Sequence, residues 1–278
     1  MKTPYQKIKE LIDSADAIVI GAGAGLSTAA GFSYSGLAFM KNFKYMHDKY
    51  GYTDMYSAGF HMFDSLEEYW GYWSKFVYLN RFTDSGLPLY KNLFSLIKNK
   101  NYFVITTNVD HQFQKTGFDK SRLFYTQGDY GLFQCSNHCH DLTYDNEEII
   151  RKMVEQQINH KIPTELIPTC PVCGKPMSMN LRCDDYFAED KGWHKAKERY
   201  TEFLYENRNK KVLYLELGVG FNTPVIIKYP FWRFVKENKN STYVSINLNN
   251  DYVPEEIKNQ SIITNDDIAS ALSKIEAE

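Results

Sequence analysis

The sequence predicts an α/β protein: a Rossmann-like parallel sheet that carries a helical insertion and a small inserted module of zinc-ribbon type. Three observations predict it. A short apolar run, Ala17-Ile18-Val19-Ile20, stops where Gly21, Gly23 and Gly25 let the backbone turn, and small helix-compatible residues follow at once. A second apolar run, Val212 to Leu217, ends in another glycine loop, Gly218-Val219-Gly220, the expected partner of the first across a dinucleotide crevice. Between them lies a polar stretch from Cys135 to Cys183 that holds two close pairs of cysteines.

The bulk numbers set the class. At 278 residues the chain has room for one large domain, or for a large domain bearing a small one. A hydrophobic fraction of 43% with 24% charged residues is that of a soluble globular protein. The net charge of −2 implies no polyanion partner, so nucleic-acid binding is a poor first expectation. No apolar run approaches the length of a membrane span, and the stretch Met1 to Asp13 is polar and amphipathic rather than signal-like. No membrane partner and a cytoplasmic location are the expectation.

Along the chain, Tyr5, Ile8, Leu11 and Ile12 have helical spacing within Pro4 to Ser14 and lead into the first strand. Residues 32–82 form an insertion of loop and helices, with Leu66 to Leu79 the clearest helix. This stretch holds seventeen aromatic side chains, most of which are expected to pack, although so many Tyr residues can also wall a pocket. Because the insertion follows the glycine turn directly, it is expected to cover the nucleotide site as a lid or substrate wall. Leu87 to Ile97 reads as a helix with Pro88 in its first turn. Tyr102 to Thr106 is a strand, and Asn108 and Asp110 stand just past its carboxyl end, where open α/β sheets place their ligands. An Asx turn or helix cap is the structural alternative for Asp110. A short strand, Leu123 to Tyr125, leads to Gln127-Gly128-Asp129.

The cysteine pairs are Cys135-x-x-x-Cys139 and Cys170-x-x-Cys173, separated by a segment long enough to hold a charged helix at Asn146 to Gln157. Two such loops meeting as a ribbon make a closed thiolate site for structural zinc. His138 or His140 is an alternative ligand because the first pair is one residue wider than usual, and Cys183, outside both pairs, is expected to be a buried thiol, with a nucleophile as the alternative. After the module, Pro224 is expected to start a helix toward Phe234. Tyr243 to Leu248 reads as a strand that ends in Asn247 and Asn249, and Asp266 to Ile275 as a closing helix. The expected domains are therefore 1–130 with 184–278 for the dinucleotide-binding sheet, including the insertion at 32–82, and 131–183 for the cysteine module.

A dehydrogenase-type site would place an acidic residue at the end of a second strand about twenty residues past the glycine turn. That region, Phe39 to Tyr50, holds Asp48 with no strand before it. What the chain resembles instead is the sirtuin family. Gly23-Ala24-Gly25-Leu26-Ser27-Thr28-Ala29-Ala30-Gly31, Thr106-Thr107-Asn108-Val109-Asp110, the four-cysteine module, Gly218 to Pro224 and Ser245-Ile246-Asn247 occur in sirtuin order. The resemblance implies NAD as cosubstrate, cleaved at its nicotinamide glycosidic bond. It places Gly23, Ala24 and Gly25 on one side of the pyrophosphate and Gly218 and Gly220 on the other, and Ser27 at a helix cap or a phosphate. Asn108 falls at the nicotinamide ribose, Asp110 at the carboxamide and Asn247 at the adenosine ribose.

The departures from the family pattern redirect the expected chemistry. Ser33-Tyr34-Ser35-Gly36 stands where most sirtuins have Pro-Asp-Phe-Arg, Gln112-Phe113 where Leu-His is usual, and Gln127 where the catalytic His precedes a glycine. An amide has no titratable proton acceptor near neutral pH, so Gln127 can hydrogen-bond a ribose or the incoming acceptor but cannot be the base that deacylation needs. Nicotinamide displacement needs positioning and electrostatics rather than a strong base, and it survives the change. The departures are similar to those of the macrodomain-associated class M sirtuins. That resemblance implies a protein mono-ADP-ribosyltransferase acting on a lipoylated carrier protein related to the glycine cleavage H protein, with a macrodomain protein as a further partner. Arg182, where the chain returns from the module, is expected to orient the acceptor or offset a phosphate, with Asp184 or Asp185 holding it; an exposed Arg without such a role is the alternative. Two other readings stay open: an NAD-dependent lysine deacylase in which water or His111 rescues Gln127, and a catalytically weak NAD or ADP-ribose sensor.

Overall fold

A computed structural model describes residues 2–221, 224–248 and 252–278. In chain order the elements begin with α1 (Pro4–Ser14), β1 (Ala17–Ala22), α2 (Ala24–Ala29), α3 (Gly36–Tyr50), α4 (Met55–Gly59) and α5 (Leu66–Val77), which runs on through a π-helical turn at Tyr78–Phe82. They continue with α6 (Pro88–Ile97), β2 (Tyr102–Thr106), α7 (Gln112–Lys115), β3 (Leu123–Tyr125), β4 (Gly128–Cys135), β5 (Thr143–Asp145) and α8 (Glu147–Gln156). The remainder is β6 (Met177–Leu181), α9 (Lys191–Asn207), β7 (Val212–Leu217), α10 (Lys228–Glu237), β8 (Thr242–Ile246), β9 (Ser261–Thr264) and α11 (Ile268–Glu276).

The chain divides into two compact units. The first comprises Met1–Ala30, Ser85–Gln127 and Lys191–Glu278. Its six parallel strands are ordered β3-β2-β1-β7-β8-β9, the doubly wound arrangement in which the chain first builds outward on one side of β1 and then on the other. The switch falls between β1 and β7, and sheets of this kind bind their ligands at the carboxyl ends of the strands flanking such a switch. Ala22 pairs with both Thr106 and Leu217, so the loops that follow β1, β2 and β7 leave the sheet at one level.

Both faces of this sheet are covered, which is why its strands read as unbroken apolar runs. Ile18, Ile20, Val104, Leu213, Leu215 and Val244 face α1, α6 and α11 through Ile8, Ile12, Leu93, Ile97, Leu272 and Ile275. Their neighbours along each strand, Val19, Phe103, Ile105, Tyr214 and Tyr243, face Ala196 and Tyr200 of α9 and Phe231 and Val235 of α10. The helix starts follow local chemistry. Thr3 and Gln6 form a capping box at α1 with Pro4 next to it, and Pro88 opens α6.

The second unit comprises Gly31–Asp84 and Gly128–Asp190. This differs from the expected division, because the aromatic-rich stretch 31–84 packs with residues 128–190 rather than with the parallel sheet. The physical reason is its ring contacts: Trp70 meets Phe133 edge-on at 5.0 Å and Phe76 meets Tyr130 at 5.2 Å. Such pairs, formed from α5 to β4, bury aromatic surface that a four-cysteine module alone could not cover. The module itself contains a three-stranded antiparallel sheet, ordered β5-β4-β6.

Three further differences from the sequence reading have local causes. The helix after the second glycine loop begins at Lys228, not Pro224, after a β-branched stretch, Val225 to Ile227, that leads into it as turns. Helix α9 and edge strand β9 were absent from the sequence reading: α9 is amphipathic with few strong apolar positions, and β9 is four residues long. Cys183 is exposed, not buried. Asn222 and Thr223 of the second glycine loop, and Asn249, lie outside the described residues.

Candidate active site

The site in the first unit is built from three loops at the carboxyl ends of β1, β2 and β7. The first and third touch through glycine backbone. Gly23 N donates to Leu217 O and Gly25 N to Gly218 O, both at 3.0 Å. A Cβ on Gly25 would lie 2.7 Å from Gly218 Cα, and one on Gly218 would lie 2.4 Å from Leu26 N. Gly218 also takes φ of 64°, a left-handed value that costs other residues strain. Glycine is therefore required at these positions by close approach as well as by conformation. Gly220 is exposed, with open space where a Cβ would point, and Ala24 is exposed on the first turn of α2.

The loop after β2 is set by a hydroxyl. Thr106 Oγ1 donates to Ala22 O at 2.9 Å and accepts from Asn108 N at 3.0 Å. That turn aims the Asn108 amide at the first glycine loop, where Nδ2 lies 3.0 Å from Gly23 O, 3.1 Å from Ser27 Oγ and 3.3 Å from the Tyr90 hydroxyl. Ser27 Oγ donates to Asp110 Oδ2 at 2.5 Å and lies 2.8 Å from the Tyr90 hydroxyl. With its one hydrogen committed to the carboxylate, Ser27 receives the Tyr90 proton. Asp110 Oδ1 accepts from Gln112 N at 3.1 Å, so the Asx turn considered from the sequence exists alongside the contact to Ser27. His111, between them, holds φ of 65°, a strained value of the kind that clusters at functional loops.

This arrangement corrects one expectation. Ser27 is not a helix cap; the cap position of α2 is Gly23, and Ser27 lies inside the helix with its side chain turned into the Asn108–Asp110 cluster. Tyr90 completes the cluster and was missed, because its hydroxyl sits on an otherwise apolar face of α6 and its ring is fully buried. The only sequence signal was a hydroxyl-bearing ring at a core-spaced position of that helix.

Gln127 is half-buried in the turn after β3. The turn is pinned by Thr126, whose N and Oγ1 both donate to Thr106 O, and by Trp193 Nε1, which donates to Thr126 O at 3.1 Å. Asn247, one residue past β8, donates through Nδ2 to Val219 O at 3.1 Å, which ties the end of β8 to the second glycine loop. Arg182 lies in the second unit, paired with Glu189 and placed over the Phe187 ring at 4.4 Å. Glu189, seven residues on, is a carboxylate partner there, because the chain folds back between β6 and α9.

In the second unit, Cys135, Cys139, Cys170 and Cys173 bring their sulfurs within 4.8 Å of one another. The Cys135–Cys173 and Cys139–Cys170 separations are 3.5 and 3.7 Å. A tetrahedral metal with metal–sulfur bonds of about 2.3 Å has sulfur–sulfur edges of about 3.8 Å. The donor set and its spacing thus fit a closed thiolate site. Burial works against the Cys135 thiolate, but backbone N–H groups of Cys139 and Asn137 together with the Cys139 and Cys173 thiols outweigh it and bring the thiol down to about 7. His140 Nε2 lies 3.4 Å from Cys170 Sγ, beside the cluster, whereas His138 turns to Asp141 at 2.7 Å.

No protein-family model matches the chain. Over 267 residues it is 41% identical to a Staphylococcus aureus protein named "Protein ADP-ribosyltransferase", spanning 96% of this chain and 85% of that one. It is also 34% identical over 234 residues to a Fusarium oxysporum protein named "Probable bifunctional ADP-ribose hydrolase/ADP-ribosyltransferase", covering 80% of this chain but only 38% of the longer fungal protein. Among solved structures it superimposes on a Sir2–p53 peptide–NAD+ complex with a TM-score of 0.60 and 19% identity, and on a sirtuin from a study of substrate affinity with a TM-score of 0.62 and 17% identity. Both superpositions cover the whole of this chain and nearly all of the other. Likeness at that identity carries the fold, while the identity to the bacterial protein carries the family. The glycine turn facing Gly218 and the Asn108–Asp110 loop beside it therefore sit in a chain that has the sirtuin fold and belongs to the protein ADP-ribosyltransferase family.

Proposed function

We propose that this chain transfers a single ADP-ribose from NAD to a protein acceptor with release of nicotinamide, and that the acceptor is a lipoylated carrier related to the glycine cleavage H protein. One observation carries the reading. Asn108, Asp110, Ser27 and Tyr90 form a closed hydrogen-bonded cluster beside the glycine turn, and Gln127 stands in the sequence where the sirtuin pattern has its catalytic His, which supports transfer over deacylation.

The chain's groups have these roles. Backbone of Gly23, Ala24, Gly25, Gly218 and Gly220 lines the pyrophosphate, and Asn247 holds the adenosine ribose. Asn108, held by Ser27 and Tyr90, orients the nicotinamide ribose, and Asp110, held by Ser27, the carboxamide. The C1′–nitrogen bond breaks with its electron pair going to the pyridinium ring, which leaves as neutral nicotinamide. The ribose carbon, oxocarbenium-like, is captured by an acceptor nucleophile that gives up its proton. Positioning and fixed dipoles suffice for this step, so the loss of a strong base is tolerated. Gln127 hydrogen-bonds the ribose or the acceptor, and Arg182 orients the acceptor. The four cysteines hold zinc, which contributes folding energy to the module. The relative that unites an ADP-ribose hydrolase with an ADP-ribosyltransferase supports a functional pairing with a macrodomain-type hydrolase. Among the described residues no helix is long and apolar enough to cross a membrane, and we place the reaction in the cytoplasm.

The test is to mix the protein with adenine-labelled NAD, a lipoylated carrier and an acetylated peptide, and to follow the label. Covalent label on the carrier that disappears when the lipoyl group is omitted is the expected result. Acetate release with no labelled protein would establish deacylation instead, and tight NAD binding without turnover would establish a sensor.

A further inference from the structure

The second glycine loop is clamped by a buried ion pair to which the site described above gives no role. Lys228 Nζ lies 2.5 Å from Glu216 Oε1, and both side chains are fully buried. Glu216 stands on β7 two residues before Gly218, and Lys228 is the first residue of α10, so the pair joins the two ends of segment 217–227, which contains the loop. Strand β8 closes the third side. Tyr243 donates from its hydroxyl to Glu216 Oε2 at 2.7 Å, and Ser245 Oγ donates to Oε1 at 3.3 Å. One residue past the same strand, the Asn247 amide donates to Val219 O within the loop. From the loop itself, the Phe221 ring lies 5.1 Å from the Lys228 ammonium, a favourable cation–π separation.

A buried ion pair is a poor means of gaining stability, since apolar residues of similar volume serve as well or better. Its advantage is directional. A salt bridge with two further hydroxyl donors fixes where a loop starts and ends, whereas an apolar plug leaves the ends free to shift. Burial raises the Glu216 carboxyl above its ordinary range against the pull of Lys228 and of the Tyr243 and Ser245 hydroxyls. The geometry it fixes matters because Gly218 O is the acceptor for Gly25 N, and the two backbones approach so closely that a Cβ on Gly25 would lie 2.7 Å from Gly218 Cα.

We propose that Glu216 and Lys228 are positioning residues: they set the backbone of the second glycine loop against the first and thereby the affinity of the crevice for NAD, an inference that rests on the NAD reading above. The variants are K228M, E216Q and the double apolar E216L/K228M, which removes both charges and so avoids a stranded one. The readouts are NAD affinity by titration calorimetry, amide hydrogen exchange of residues 218–221 and the thermal midpoint. The expected result is that the double variant regains most of the midpoint lost in K228M, yet binds NAD about tenfold more weakly, the equivalent of one charge-assisted hydrogen bond, and exchanges its loop amides faster. E216Q, close in shape, shows the same direction with a smaller change. Folded variants with wild-type NAD affinity and wild-type loop exchange would overturn the inference and assign the pair a structural role alone. A wild-type chain that binds no NAD would overturn the functional reading instead. Loop exchange then decides the positioning role by itself: faster exchange in the folded double variant supports it and unchanged exchange overturns it.

Discussion

Ser27 donates its hydroxyl hydrogen to Asp110 at 2.5 Å, joining the helix after the first strand to the loop after the second. The two residues are 83 positions apart, and each is nearly inaccessible to solvent. A bond of this kind fixes the angle between two loops more firmly than either turn could alone, because the carboxylate also accepts from Gln112 N.

Replacing Ser27 with Ala removes one donor to Asp110 and one acceptor for Asn108. Loss of a buried hydrogen bond to a charged group costs about 1–3 kcal/mol. The S27A variant should lose that much unfolding free energy, unfold at a lower denaturant concentration and bind NAD more weakly. Unfolding curves and a binding titration check both, and an S27T variant that restored affinity would show that the hydroxyl rather than the volume matters.

Gly25→Ala should abolish NAD binding while leaving most of the fold. The added Cβ would lie 2.7 Å from Gly218 Cα and 2.9 Å from its carbonyl oxygen, and neither backbone atom can yield without moving a whole loop. Overpacking of this kind costs about 1–3 kcal/mol. Circular dichroism should report a folded chain with a lowered midpoint, and NAD titration should report no saturation at concentrations that saturate the wild type.

Gln127→Ala tests the role proposed for the Gln127 amide. One hydrogen bond made in the transition state is worth about 1.4 kcal/mol, so the transfer rate should fall about tenfold. The KM for NAD should change less than kcat, since Asn108, Asp110 and both glycine loops remain. An equal loss in binding and turnover would place Gln127 at the ground-state ribose instead.

Metal content is directly measurable. The purified chain should hold one zinc, and Cys170→Ser should reduce that to well below one. Chelation should lower the thermal midpoint, because the sulfurs of Cys135, Cys139, Cys170 and Cys173 lie within 4.8 Å of one another and have no other centre to organise them.

Gly71→Ala should destabilise the second unit, against the usual helix preference. Ala is better than Gly in a helix interior by about 1 kcal/mol. Here the added Cβ would lie 1.9 Å from His160 O, so the clash outweighs the propensity gain. A lowered midpoint checks the sign; a raised one would mean that the 158–161 turn yields freely.

By itself the sequence determined the features that depend on local chain chemistry. Glycine after β1 and after β7, Asn108 and Asp110 past β2 and the paired cysteines all carry their meaning in residue type and spacing, and the alternation of apolar runs with helical spacing was enough for the parallel sheet. Only the tertiary structure decided the rest, because those features depend on partners far away in the chain. Tyr90 reads as a core residue until its hydroxyl is seen beside Ser27 and Asn108. Glu216 and Lys228 look like misplaced charges in two apolar stretches until they meet at 2.5 Å. Ser27 reads as a cap until the fold turns it toward Asp110, and the aromatic stretch 31–84 reads as part of the sheet domain until Trp70 and Phe76 pack on Phe133 and Tyr130. A hydrogen bond or ring contact across tens of residues leaves no periodic mark, so its partners become visible only when the chain has folded.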